Sequence, residues 1–245
     1  MYQTDPPPSP KDVLPTMYDL PSEDPKQPGL PDDFHWLQPQ LLRETFRPPG
    51  YPPDKIYVAS DLNLYYDSRH PLWYKRPDWF AVVGVSHLYE QRDLRLSYVV
   101  WQEGINPFIV VELLSPGTEK EDLGQTLREI EQPPTKWEVY ERILRIPYYA
   151  VFDRYSSAFR MFKLDGGRYA EVILQQQRFW IAELELGLGL WQGQYQRQYQ
   201  NIEQLWLRWY AATANWVLTP TEQEQQRTQR LIAQLRSLGV EPDLE

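Results

Sequence analysis

Three runs of the chain are almost purely apolar and too short for core helices. They are residues 79–85 (Trp-Phe-Ala-Val-Val-Gly-Val), 108–114 (Phe-Ile-Val-Val-Glu-Leu-Leu) and 147–153 (Pro-Tyr-Tyr-Ala-Val-Phe-Asp). Their β-branched and aromatic content reads as strands covered on both faces. Residues 56–66 alternate around Ala59, Leu62 and Leu64 and predict a strand or a bent hairpin; residues 94–101 predict another strand. A hairpin is expected from 158–164 and 169–175 across Gly166-Gly167, followed by strands at 179–184 and 190–195.

A longer period marks the helices. Residues 34–46 follow the capping pair Asp32-Asp33, carry Pro39 near their first turns, and predict a short helix. Residues 119–145 predict the main helical region, interrupted at Pro133-Pro134. In its second half Trp137, Tyr140, Ile143 and Leu144 have the spacing of a core-facing stripe. Residues 202–210 and 221–238 predict two further helices, the last capped by Thr219 or Thr221 and stopped by Gly239. Strands, a central helical region and more strands predict an α/β domain with a mixed sheet and no internal repeat.

With 245 residues the chain has room for one core of ordinary size plus appendages. Of its 23 prolines, 14 fall in residues 1–53. Residues 1–31 are therefore expected as an extended or disordered arm, 32–218 as the α/β domain and 219–245 as a helical tail. The absence of cysteine excludes disulfides, Cys-ligated zinc and thiol nucleophiles. No run of 18 apolar residues occurs and the N-terminus is acidic, so neither a membrane span nor a signal peptide is expected. A soluble cytoplasmic protein follows as the expectation. The net charge of −9 weighs against a nucleic-acid partner. Its distribution softens that, because residues 54–218 hold 18 basic against 21 acidic residues and local fields steer a polyanion.

The chemistry is expected around Glu112. A carboxylate inside an apolar strand loses its hydration, a cost of several kcal/mol unless cations or donors replace the water. Asp78 immediately precedes the strand at 79–85. Two carboxylates, one at the start of a strand and one within another, are expected to converge on one divalent cation.

The ordered set Arg76-Pro-Asp78, Val110-Val-Glu-Leu-Leu-Ser-Pro116, Asp122-Leu-Gly124, Lys136-Trp-Glu-Val-Tyr140 and Ile146-Pro-Tyr-Tyr-Ala-Val-Phe-Asp153 resembles the Uma family of restriction-endonuclease-like proteins, a bacterial branch of the PD-(D/E)XK nuclease superfamily. The resemblance covers residues 56–153 and, separately, the tail at 230–243. It implies a restriction-endonuclease-like core, a mixed central sheet flanked by helices, and a metal-dependent endonuclease of the bacterial cytoplasm acting on DNA. Asp78 and Glu112 would be the acidic metal ligands, the Leu113 backbone carbonyl would complete the shell, and the cofactor would be Mg²⁺ or Mn²⁺. Where the superfamily carries lysine two residues after the glutamate, this chain has Leu114. Lys136, from the following helix, would take its place as the third catalytic residue. An insertion at 126–135 separates it from Asp122, which leaves Lys120 as the fallback.

Blander readings stand beside these. Asp78 also fits a turn, Glu112 a buried ion pair, Lys136 a solvated helix face and Tyr140 the core. Glu44 fits an exposed helix face better than an extra ligand, and Asp153 a turn cap. Residues 69–76 (Arg-His-Pro-Leu-Trp-Tyr-Lys-Arg) interleave basic and aromatic side chains, as a DNA contact or as an anchored loop. His35, His70 and His87 lack ligand spacing and read as structural. No Gly-rich phosphate loop, Gly-x-Ser-x-Gly or dinucleotide fingerprint competes. Beside the nuclease stand two alternatives: a catalytically degenerate module that binds protein or nucleic acid without cutting, and a structural adaptor. The sequence leaves the oligomeric state open, a homodimer included.

Overall fold

The computed structural model describes residues 32–115, 122–125, 132–195 and 203–240. The expected N-terminal arm, Lys120 and residues 126–131 of the insertion lie outside these. In chain order the strands are β1 (Ile56–Ala59), β2 (Leu64–Tyr65), β3 (Tyr74–Lys75), β4 (Trp79–Val83), β5 (Tyr98–Val99), β6 (Ile109–Leu113), β7 (Tyr148–Asp153), β8 (Ala158–Asp165), β9 (Arg168–Glu171), β10 (Arg178–Ile181), β11 (Leu186–Gly193) and β12 (Gln204–Tyr210). The helices are α1 (Asp33–Thr45), α2 (Val100–Glu103), α3 (Lys136–Glu138), which runs into a wide π-helical turn at Val139–Ile143, and α4 (Pro220–Ser237).

A mixed sheet of six strands, ordered β1-β4-β6-β7-β8-β9, carries the fold. Its pairings are antiparallel except for β6 with β7. A parallel step cannot be closed by a tight turn. The chain between β6 and β7 therefore has to cross over one face, and that crossover carries Asp122 and Lys136. Two smaller sheets, β10-β11-β12 and β3-β2-β5, complete the strands.

Burial on β6 follows the period-2 rule of a strand covered on both sides. Ile109, Val111 and Leu113 face one apolar cluster with α1 and the second sheet. Val110 faces the other cluster, with Phe80, Tyr140, Leu144 and Tyr149. On the first side, Phe34 of α1 stacks on Trp206 with ring centroids 5.4 Å apart, and Phe46 meets Trp209 at 4.9 Å. The buried Gln38 amide pairs with the backbone of Leu207 in both directions, each bond 2.8 Å, as an extra strand residue would. Asp32 caps α1 by accepting from the His35 N–H, and Pro39 is accommodated inside the helix.

Most of the expected elements are present, and three readings need correction. Residues 202–210 do not form a helix: Gln204–Tyr210 is a strand with both faces covered, so its apolar residues show no alternation. The strand expected at 94–101 shrinks to Tyr98–Val99 and turns at once into one turn of helix. Ile143 is exposed where a core position was expected, while Leu144 is buried. The cause is the π-helical turn, closed by the Leu144 N–H donating to the Val139 carbonyl at 2.8 Å. Its extra residue advances the phase of the stripe by one position. At the far end Thr219 and Glu222 form the capping box of α4, a helix without a buried residue. Among the described residues no helix is long and apolar enough to cross a membrane.

Candidate active site

The register of β4 against β6 pairs Trp79 with Val111 and Phe80 with Val110, which sets Asp78 opposite Glu112. Residues opposed in an antiparallel pair share a face. The backbone reinforces the pairing: the Leu113 N–H donates to Asp78 Oδ2 at 2.6 Å, and the Asp78 N–H donates to Glu112 Oε2 at 3.3 Å. Asp78 is half-buried and Glu112 fully so.

The crossover supplies the rest. Lys136, at the first turn of α3, donates from Nζ to Glu112 Oε2 at 3.0 Å and lies 3.1 Å from Asp122 Oδ1. Tyr140, one turn later, donates its hydroxyl to Glu112 Oε1 at 2.8 Å. Two features hold Asp122 in place. Tyr149 on β7 donates its hydroxyl to the Asp122 carbonyl at 2.9 Å. Gly124 has φ +69° and lies against Trp137 so closely that a Cβ there would stand 2.8 Å from Cγ of the indole.

Electrostatics follow from burial and crowding. Burial pushes the Glu112 carboxyl well above the usual range, with Lys136 opposing and the charges of Asp78 and Asp122 adding to the rise. Burial alone would lower the Lys136 ammonium, but Asp122, Glu112 and Asp78 outweigh it and hold it well above the ordinary lysine value. Asp78, Glu112 and Asp122 thus all act on the ammonium of Lys136, and carboxylates crowded in this way favour positive charge.

On the Asp78 side stands His35. Its Nδ1 lies 2.9 Å from Asp32 Oδ1 and its Nε2 lies 3.1 Å from the Leu113 carbonyl oxygen. A carbonyl oxygen and a carboxylate only accept, so both ring nitrogens carry hydrogen and the imidazole is cationic. In keeping with that, its pKa is raised: burial works to lower it, and the Asp32 hydrogen bond and the Asp78 charge prevail. Asp32 also binds Arg154 at 2.7 Å. On the other flank, the Asp61 N–H donates to the Pro77 carbonyl at 3.1 Å. Burial and the Asp78 charge raise the Asp61 carboxyl, against the lowering effect of Arg76.

The structure therefore brings together Asp78, Glu112, the Leu113 backbone and Lys136, while Lys120 falls outside the described residues. Glu44 sits on α1 with its partner Gln40 on the same helix. Asp153 caps the turn after β7, accepting from the Tyr155 N–H at 2.9 Å. In the segment 69–76, Arg69 is exposed and His70 stacks on Trp73 with centroids 3.9 Å apart. Asp122, Tyr140 and His35 are the contributors that sequence reasoning left without a role at the site. Asp122 was visible as part of the ordered motif set; His35 gave no signal, because its partner is a backbone carbonyl.

Among the described residues no three His, Asp or Glu side chains are arranged to hold a metal ion by themselves. The donors gathered here are two carboxylates and a main-chain carbonyl, oxygen throughout. That set fits Mg²⁺ or Mn²⁺, of which Mg²⁺ in particular is usually bound through one or two carboxylates and keeps several waters.

Comparison with known proteins adds a family. The model of the Uma2 family, described as "Putative restriction endonuclease", matches residues 16–200, well over half of the chain. None of the curated proteins matches.

Proposed function

The chain belongs to the Uma2 family, and from that premise we propose that it is a metal-dependent DNA endonuclease, hydrolysing phosphodiester bonds with Asp78, Glu112 and Lys136. The observation that carries this reading is Glu112. It is fully buried in β6, hydrogen-bonded by the backbone of Asp78, and in contact with the Lys136 ammonium. A buried glutamate bordered by two further carboxylates is unfavourable for stability alone, whereas a site built to gather cations requires it.

In this reading Asp78, Glu112 and the Leu113 carbonyl hold a Mg²⁺ or Mn²⁺ ion. Such an ion would polarise the scissile phosphate and lower the pKa of an attacking water. The chain's own contribution is orientation and charge. The reciprocal backbone bonds fix the two carboxylates on one face of the sheet, and Tyr140 pins the remaining oxygen of Glu112. Lys136 stays protonated under its three carboxylates and offers a cation to the negative charge that develops on phosphate. Leu114 is packed into the core behind the site, so the lysine reaches Glu112 from the crossover instead of from the strand. The exposed Arg69 and the His70–Trp73 stack precede Asp78 in sequence and suit contact with phosphate and bases.

One observation favours the second reading, a nuclease-fold module that binds without cutting: Lys136 is already held by two carboxylates. The deciding experiment is a plasmid-nicking and single-strand cleavage assay with and without Mg²⁺ or Mn²⁺. Metal-dependent nicking that disappears in Glu112→Ala supports the endonuclease. Equal rates in wild type and Glu112→Ala exclude it.

A further inference from the structure

His35 is buried in α1, far in sequence from every motif of the site, yet its ring ends on the Leu113 carbonyl. Leu113 is the residue whose N–H holds Asp78 and whose side chain belongs to the core on the α1 side. Its N–H and its carbonyl, in consecutive peptide units, thus serve two partners at the end of β6. The imidazole itself is held in place from behind: Asp32 accepts from Nδ1 while also capping α1 and binding Arg154, which follows β7. A relay Arg154–Asp32–His35–Leu113 ties the helix cap to the end of the central strand.

We propose that His35 is a positioning residue of the site, its Nε2–H fixing the Leu113 carbonyl in the orientation that a bound cation requires. This rests on the endonuclease reading, in which that carbonyl is a ligand. A carbonyl oxygen has two lone pairs, so it can accept from His35 on one and face the cation with the other. The other end of this peptide unit is tied to β7 by the Leu114 N–H, which donates to the Phe152 carbonyl at 2.8 Å, and the His35 bond fixes its carbonyl end. Groups that orient a ligand in this way commonly carry a 10- to 100-fold share of metal affinity.

The two ring nitrogens can be separated by substitution in the full-length chain. In His35→Gln the side-chain amide reaches about as far as Nε2 and keeps a donor for Leu113; in His35→Asn it reaches only as far as Nδ1 and keeps the contact with Asp32. Both remove the charge equally, so the charge cancels in the comparison. Mn²⁺ binding measured by calorimetry is expected to be about 10-fold or more tighter in the Gln variant than in the Asn variant. A residue that merely supports the cap predicts the reverse order, and Asn equal to or tighter than Gln overturns the proposal.

A second measurement needs no variant. The chain has three histidines, so sub-stoichiometric Mn²⁺ added to the wild type should broaden the ring resonances of His35 first, with His70 and His87 as internal controls. Preferential broadening of either control overturns the placement. Wild-type protein that binds no Mn²⁺ overturns both this proposal and the reading beneath it, whereas binding with Asn at least as tight as Gln removes the proposal alone.

Discussion

Lys136 holds its ammonium 3.0 Å from Glu112 Oε2 and 3.1 Å from Asp122 Oδ1, so a single cation joins a strand carboxylate to a crossover carboxylate. Removing it takes the lysine cation away from two buried carboxylates. Lys136→Met is expected to cost about 3 kcal/mol of stability in metal-free protein, the range for breaking a buried pair. Mn²⁺ should recover part of that loss, giving the variant a larger metal-induced rise in Tm than wild type. A calorimetric scan with and without Mn²⁺ checks both. In the nicking assay Lys136→Ala should lose on the order of 10²-fold in rate, the scale for one transition-state donor.

Metal linkage tests the two acids. Divalent cations bound to the native state raise Tm in proportion to affinity and concentration. Asp78→Asn and Glu112→Gln should abolish the rise seen with millimolar Mn²⁺ and raise Tm of the metal-free protein, since each relieves repulsion among Asp78, Glu112 and Asp122. An unchanged wild-type melting curve across the Mn²⁺ titration would count against the site.

Tyr140 satisfies Glu112 Oε1 inside the core. Tyr140→Phe leaves that oxygen without its donor while preserving the ring. A loss of about 1–3 kcal/mol is expected, read as a shift in the urea midpoint.

Gly124 sets the position of Asp122. Ala at this place meets both a left-handed backbone and the Trp137 ring, so Gly124→Ala should destabilise by about 1–3 kcal/mol. It should also lower the nicking rate, because Asp122 no longer reaches Lys136. Wild-type values in both assays would show that the loop yields without moving Asp122.

The α4 anchor has a defined pH signature. Arg208 is buried and hydrogen-bonds Glu222 with both terminal nitrogens. Burial works to raise the Glu222 carboxyl, and the Arg208 and Thr219 hydrogen bonds bring it below its ordinary value of 4.5. A depressed carboxyl contributes stability above its unfolded pKa and loses it as pH falls through the folded value. Glu222→Gln should therefore cost about 1–2 kcal/mol at pH 7, and the gap from wild type should close as pH is lowered below 4.5. Urea midpoints at pH 7 and near pH 3.5 provide the comparison.

Much of this site was legible because its signals are short and local. Glu112 in an apolar strand and Asp78 before another declare themselves by their cost, and the β4–β6 register then brings them together. Lys136 was singled out by its motif, and its ammonium lies beside Glu112 even though an insertion separates it from Asp122. What escaped was what no side-chain pattern encodes. His35 acts on a main-chain carbonyl, and Gln204–Tyr210 looked helical because Trp206, Leu207, Arg208 and Trp209 are all buried, on both faces of one strand. Ile143 was misplaced by a π-helical turn that a 3.6-residue period cannot anticipate.

That same turn makes the lysine's aim a matter of residue count. In a helix each residue turns the chain by about 100°, and Val139–Ile143 contains one residue more than an α-helical turn needs. Lys136 and Tyr140 stand at or before it, while Leu144 and Ile146 behind it are anchored in the core. Shortening the stretch by one residue would let an ordinary α-helix form and swing both side chains away from Glu112. A deletion that improves local helix geometry would thereby disassemble the cluster, and point substitutions in the same stretch would leave its phase intact.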